Sequence, residues 1–224
     1  MRSSNLNVCG ILGGTFDPVH LGHVALADAA LRELPLGEVL WLPSGNPGHR
    51  APPVAGAEQR LSMLGLAAAG NPRFRIDATE LASNQPTYTV HTLTRLRAQL
   101  GAARPLALLL GADSFLSLPT WLRWRELFDL AHIAVADRPG HEPDVGAMAA
   151  ELAQQFGQRL APARRLSESP AGTIARFDMP QLDISASAIR SAIGTGQDVR
   201  HLLPRAVLAY IETHHLYRKD TYNP

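Results

Sequence analysis

Two histidines three positions apart, His20 and His23, follow closely on a glycine pair, Gly13-Gly14, with Thr15-Phe16-Asp17-Pro18-Val19 between. The segment joins a short apolar run, Val8 to Leu12, to a stretch of helical spacing from His20 to Leu34 that carries Leu21, Val24, Ala25 and Leu31. Paired glycines let a backbone approach a ligand closely. A helix that begins near His20 points its unpaired N–H groups and the positive end of its dipole at whatever the loop holds, which suits an anion. Residues three apart share a helix face, so both imidazoles can donate to the oxygens of one polyphosphate. Gly22, between them, removes a side chain that would obstruct a phosphate. Two histidines without Cys, Asp or Glu at ligand spacing make a poor metal site, and no metal ligands are expected. The segment lacks both the Gly-Lys-Ser/Thr of a Walker loop and the GxGxxG of a dinucleotide fold.

A second set stands near the other end, in Ile184-Ser185-Ala186-Ser187-Ala188-Ile189-Arg190. Ser185 suits a helix N-cap. Ser187 and Arg190 then share a face, and a hydroxyl with a guanidinium at a helix start is again an anion site. Taken alone, the pattern describes many surface helices.

These segments need a scaffold that brings two helix starts together. Strands are predicted at 8–12, 39–42, 74–76, 106–110, 133–136 and 174–177. Helices are predicted at 20–34, 57–69, from Thr87 or Thr89 (either as cap) to 100, at 122–130, from Val145 through Met148 and Leu152 to Phe156, at 185–193, and at 205–213 with Pro204 in its first turn. Residues 44–56 read as a loop, and 157–172 as the most flexible stretch. Leu106 to Leu110 is apolar throughout, as in a strand of a parallel sheet covered on both faces. Alternating strands and helices imply crossovers, hence an α/β fold with a doubly wound (Rossmann-like), mainly parallel sheet. One domain over 1–224 is expected, with a core at about 8–180 and C-terminal helices at about 181–217 carrying the Ile-Ser-x-Ser-x-x-Arg motif. Ligands of such sheets sit at the carboxyl ends of the strands, where strand order reverses.

Bulk properties narrow the partners. The 224 residues are 46% hydrophobic with a formal net charge of +1, which gives no reason to expect nucleic acid or an acidic membrane. Lys219 is the single lysine, so phosphate contacts fall to Arg or His. Cys9 is the single cysteine, which rules out an internal disulfide and suits a buried position. With no long apolar stretch, the chain is expected to be cytoplasmic. Homo-oligomerisation is compatible with the sequence without being indicated by it.

In order along the chain, the Gly13 to His23 segment, Leu110-Gly111-Ala112-Asp113-Ser114-Phe115 and the Ile184 to Arg190 segment resemble the nucleotidyltransferase superfamily related to class I aminoacyl-tRNA synthetases. Pro86-Thr87-Tyr88-Thr89 and Pro119-Thr120-Trp121 make the chain similar to bacterial nicotinate mononucleotide adenylyltransferases, from about Gly10 to Tyr217. The resemblance implies transfer of AMP from ATP to nicotinate mononucleotide, releasing pyrophosphate, with Mg²⁺ arriving on ATP. It implies that His20, His23, Ser187 and Arg190 hold the ATP phosphates, with His20, His23 and Arg190 catalytic. Gly13, Gly14, Thr15 and Ile184 would line the nucleotide pocket, and Gly111 and Asp113 would meet the ribose. Asp113 would also suit a cap for a helix at 114–118. Phe16, Tyr88, Thr89 and Trp121 would contact the acceptor, Trp121 by stacking on its pyridine ring. His49, Arg50 and Arg138 would meet its phosphate. Asn46-Pro47-Gly48-His49-Arg50 departs from the family's Pro-Pro-His-Lys or Pro-Pro-His-Arg at Gly48, and Ser44 stands where many relatives have Asn. Competing readings are a related transferase acting on nicotinamide mononucleotide, phosphopantetheine or FMN, and a non-catalytic nucleotide sensor. A tRNA synthetase is disfavoured by length.

Overall fold

The computed structural model describes residues 8–47, 52–83, 85–137, 145–180 and 182–218. Along them run β1 (Val8–Gly14), α1 (Leu21–Glu33), β2 (Leu36–Pro43), β3 (Asn46–Pro47), α2 (Ala57–Ala68), β4 (Phe74–Ile76) and β5 (Pro86–Thr87). Next come α3 (Thr89–Leu100), β6 (Leu106–Gly111), α4 (Ala112–Leu116), α5 (Leu127–Leu130), β7 (His132–Asp137), α6 (Ala150–Arg159), β8 (Ile174–Asp178), α7 (Ala186–Gly194) and α8 (Arg205–Thr213).

Six strands form one parallel sheet in the order β4-β2-β1-β6-β7-β8. From β1 the chain first winds outward through β2 and β4, then returns to β6 on the other side and winds out through β7 and β8. The order therefore reverses between β1 and β6, and their carboxyl ends open a crevice there. This is the doubly wound α/β fold expected of the alternating pattern. A two-stranded parallel ribbon, β3 with β5, stands apart from the sheet.

Side chains alternate across each strand, so the sheet feeds two apolar clusters. Val8 and Leu12 of β1, Ala107 and Leu109 of β6, Ala134 and Ala136 of β7, and Ala175 and Phe177 of β8 face one cluster. Ala27, Ala29, Ala30 and Leu31 of α1 join them, as do Met63 and Leu64 of α2, Ile189 of α7, and Val207 and Ile211 of α8. The alanines of the inner strands match the alanine-rich face of α1, so the helix lies close to the sheet. Cys9 and Ile11, Leu106, Leu108 and Leu110, and Ile133 and Val135 face the other cluster, with Val90, Leu93 and Leu96 of α3 and Leu152 and Phe156 of α6. Cys9 is buried, as expected.

Several local expectations change. α3 is capped by Tyr88, not by Thr87 or Thr89, and the Tyr88 side chain makes no cap hydrogen bond. Continuous helix over 122–130 is prevented at Arg123, whose backbone is left-handed (φ 52°) and cannot join a right-handed helix. A 3₁₀ turn over Trp124–Glu126 and then α5 replace it. Helix from Val145 is likewise split into a 3₁₀ turn, Val145–Ala147, and α6. Asp113 does not cap α4; Gly111 does, and Asp113 lies in the first turn. Pro204 is the N-cap residue of α8. The 157–172 stretch is pinned: Leu166 is buried, His132 Nε2 bonds the Ser169 carbonyl at 2.8 Å, and the Thr173 N–H donates to His132 Nδ1 at 3.1 Å.

The segment carrying β3 presses against the 3₁₀ turn Thr79–Ala82. A Cβ on Gly45 would lie 2.1 Å from the Glu80 carbonyl oxygen, and backbone cannot yield as a side chain would. Gly45→Ala is therefore expected to destabilise the protein by about 3 kcal/mol. Calorimetric melting would register this as a fall of about 10 °C for a chain of this size. An unchanged melting temperature would show that the two segments do not abut.

Candidate active site

A cavity of about 760 Å³ opens where the order reverses. Gly13 and Gly14 at the end of β1, Thr15, and Gly111 at the end of β6 form its floor. A Cβ on Gly13 or Gly111 would meet no other atom within 4 Å, so both glycines leave open space at the strand ends. His20 and His23 of the α1 start line the cavity together with Ile184, Ser187 and Arg190 of the α7 start. The two helix starts touch, since a Cβ on Gly22 would lie 3.8 Å from Ile184 Cβ. The motifs from opposite ends of the chain thus share one crevice.

His20 and His23 are stacked, with ring centroids 3.8 Å apart. A Cβ on Gly22 would press on the His20 ring at 3.1 Å, so this glycine first of all gives His20 room. The His20 main-chain N–H donates to His23 Nδ1 at 3.3 Å. That assigns the remaining ring proton of a neutral His23 to Nε2, as a donor. Phe16 is 1% exposed, with left-handed backbone (φ 50°). Its ring packs edge-on against His23 at 4.9 Å and tilts against Trp41 at 5.5 Å. Its side chain buttresses His23, and Phe16 is also part of the cavity lining.

Burial pushes the His20 imidazole down to about 4, and burial followed by the neighbouring His20 holds His23 well below the usual histidine range. Both rings are neutral at pH 7. In the unfolded chain His20 takes up its proton near pH 6.5, whereas the folded ring resists until about 4. Between these values the unfolded state binds more protons, so stability falls as pH drops through the window. His20 alone should contribute a loss on the order of 2 kcal/mol between pH 7 and 5. Urea midpoints at the two pH values would measure it, and the difference should shrink in His20→Gln. An identical pH dependence in that variant would show that His20 is not held neutral.

Tyr88 and Thr89 bring the start of α3 into the same wall. Trp121 stands beside them, half-buried, its indole N–H donating to Ser117 Oγ at 3.1 Å, which sets the ring's orientation. Asp113 is exposed and outside the cavity wall; its neighbour Ser114 lies in it. Ser185 caps α7, accepting from the Ala188 N–H at 3.2 Å. His49, Arg50 and Arg138 lie outside the described residues.

Asp17, in the cavity lining, and Arg60 and Tyr217, behind it, carry weight that sequence reasoning did not assign. Asp17, 3% exposed, accepts from the Val54 N–H at 2.7 Å and the Ala55 N–H at 3.0 Å, and so ties the histidine loop to the approach of α2. Arg60 of α2, 2% exposed, donates to the carbonyls of Thr15 (2.7 Å) and Ser44 (2.8 Å). Tyr217 donates to Asp17 Oδ1 at 2.8 Å. Arg60 had one visible signal: it falls in register with Met63, Leu64 and Ala68 on the buried stripe of α2. Glu80 also lines the wall, hydrogen-bonded by the Thr92 hydroxyl. Among the described residues no group of three or more His, Cys, Asp or Glu could hold a metal ion, and no helix is long and apolar enough to cross a membrane.

The family model described as cytidylyltransferase-like matches residues 11–192. The chain is 50% identical over 212 residues to a probable nicotinate-nucleotide adenylyltransferase of Dechloromonas aromatica, covering 94% of this chain and 98% of that one. It is 47% identical over 210 residues to a probable nicotinate-nucleotide adenylyltransferase of Aeromonas hydrophila, covering 93% and 96%. In fold it is similar to the solved structure of Plasmodium falciparum nicotinic acid mononucleotide adenylyltransferase complexed with NaAD, with a TM-score of 0.69, 15% identity, and coverage of 94% and 97%. The chain belongs to the cytidylyltransferase-like family and, within it, to the nicotinate-nucleotide adenylyltransferases.

Proposed function

We propose that this nucleotidyltransferase joins nicotinate mononucleotide to the adenylyl group of ATP, giving nicotinate adenine dinucleotide and pyrophosphate, a step of NAD biosynthesis. A phosphate oxygen of the mononucleotide attacks the α-phosphorus in line, and the bond from that phosphorus to the β-phosphate oxygen breaks with its electrons leaving on pyrophosphate. The attacking phosphate is already anionic near neutral pH, so the reaction needs neither a general base nor a covalent intermediate. Catalysis rests on positioning and on donors aimed at the charge of the α-phosphate and leaving group.

The observation that carries this reading is the meeting of the α1 and α7 starts in one crevice, His20 and His23 from one and Ser187 and Arg190 from the other. The four side chains grip the triphosphate. Gly13, Gly14, Thr15 and Ile184 enclose the nucleotide, and Gly111 meets its ribose, with Asp113 at the exposed rim. Trp121 stacks on the pyridine ring while the α3 start at Tyr88 and Thr89 receives the carboxylate through its N–H groups. His49, Arg50 and Arg138 contact the acceptor phosphate. Nucleotidyltransferases of this family generally use a divalent metal with ATP. We take that metal to be Mg²⁺, entering as the ATP complex and coordinated chiefly by phosphate oxygens and water. The enzyme would act in the cytoplasm.

The test is pyrophosphate release from ATP and Mg²⁺ with nicotinate mononucleotide, nicotinamide mononucleotide, phosphopantetheine or FMN supplied in turn. The highest kcat/KM is expected with nicotinate mononucleotide. A higher value for another acceptor would reassign the substrate, and ATP binding without pyrophosphate release from any would make the protein a sensor.

A further inference from the structure

The Asp17 carboxylate is surrounded by donor groups from three separate parts of the chain. Beyond the Val54 and Ala55 amides and the Tyr217 hydroxyl, Arg190 places Nη1 3.7 Å from Oδ2 while donating to the Asp17 main-chain oxygen at 2.7 Å. Tyr217 reaches this point through a tight turn after α8. His215 and Tyr217 both have left-handed backbone (φ 53° and 63°), the Leu216 N–H donates to the Ile211 carbonyl at 3.0 Å, and Leu216 and Tyr217 pack against the core. Left-handed conformation at two non-glycine residues persists only where surrounding contacts impose it. Burial, and next the Asp17 charge, push the phenol well above its usual range, so it stays a donor.

We propose that the Tyr217 hydroxyl is a positioning group for ATP: by occupying Asp17 Oδ1 it keeps Arg190 on the main-chain oxygen of Asp17 and available to the triphosphate. A carboxylate relieved of that donor carries more charge toward a guanidinium already 3.7 Å away. A closed ion pair would form and withdraw Arg190 from the cavity. This inference rests on the proposed role of Arg190 at the phosphates.

Tyr217→Phe keeps the ring and removes only the donor. It is expected to raise KM for ATP about tenfold, the size of one hydrogen bond to a charged group, and to change KM for nicotinate mononucleotide less than about twofold. KM does not depend on how much of the sample is folded, so the comparison survives a partly unfolded preparation. In an Asp17→Asn background, where no ion pair can close, the same substitution should change KM for ATP less than about twofold. An unchanged KM for ATP in Tyr217→Phe, or a parallel rise for both substrates, overturns the proposal. An equal effect in the Asp17→Asn background overturns the route through the carboxylate. Arg190→Ala separates the two levels. If it leaves ATP kinetics unchanged, the phosphate site itself is misassigned and the positioning role falls with it. If it impairs ATP use while Tyr217→Phe does not, only the positioning role fails.

Discussion

A His23→Ala enzyme is expected to lose about 10²–10³ in kcat, the effect of removing one preorganised donor to transition-state charge. The geometry behind this is specific. His23 Nδ1 is occupied by the His20 main-chain N–H, and the ring is fixed between His20 and Phe16. A neutral His23 therefore presents Nε2–H in one orientation without reorganising. The loss should fall on kcat more than on KM for ATP, because His20, Ser187 and Arg190 still bind the ground-state phosphates. Truncation also leaves a small void beside Phe16 and an unpaired His20 N–H, which should cost about 1–2 kcal/mol of stability without unfolding the chain. Steady-state kinetics, with circular dichroism to verify folding, would check both statements. Full turnover in a folded variant would remove His23 from the mechanism.

Arg60→Met is expected to cost about 3–5 kcal/mol, the largest stability effect foreseen for a side chain that does not itself contact substrate. The substitution preserves much of the aliphatic volume and removes the guanidinium. The carbonyls of Thr15 and Ser44 then lose their donor in a buried setting, and the Gly45 carbonyl loses a longer contact at 3.4 Å. Burial lowers the Arg60 pKa, while Asp17 opposes that shift. Without Arg60, Asp17 loses a compensating charge as well. Because Thr15 and Ser44 belong to the cavity wall, kcat/KM should fall together with the melting temperature. Arg60→Lys should rescue only in part: Nη1 alone serves the Thr15 and Ser44 carbonyls, which one ammonium could replace, but a single nitrogen cannot also supply the Nη2 contact to the Gly45 carbonyl. Chemical denaturation of the three proteins is the measurement. A Met variant as stable as the parent would show that the two loops hold their shape without the buried arginine.

Much of the site was legible locally. The glycine pair before His20, the three-residue spacing of the histidines, and Ser185 as a cap are signals within a few positions, and helix starts and strand periods obey local backbone chemistry. The Pro86 to Thr89 and Pro119 to Trp121 segments were singled out by their resemblance, and Thr87, Tyr88, Thr89, Thr120 and Trp121 line the cavity. What misled was equally local. Thr87 and Thr89 are good cap residues, yet Tyr88 takes the position because tertiary packing sets where α3 starts. Asp113 suits a helix cap, yet Gly111 takes that position and Asp113 falls in the first turn of α4. Phe16 lines the cavity, but the packing of its ring on His23 and Trp41 had no local signal.

By itself the chain determined its alternation of strands and helices, the two anion-ready helix starts and the class of chemistry they suit, because each depends on neighbours only a few residues away. Tertiary structure alone decided that a buried arginine, an aspartate and a tyrosine would brace those starts. Their partners lie 45 (Arg60 to Thr15), 173 (Arg190 to Asp17) and 200 (Tyr217 to Asp17) positions away. A charged side chain is stable in the interior only where the fold supplies its partners, and no local pattern records where those partners will come from.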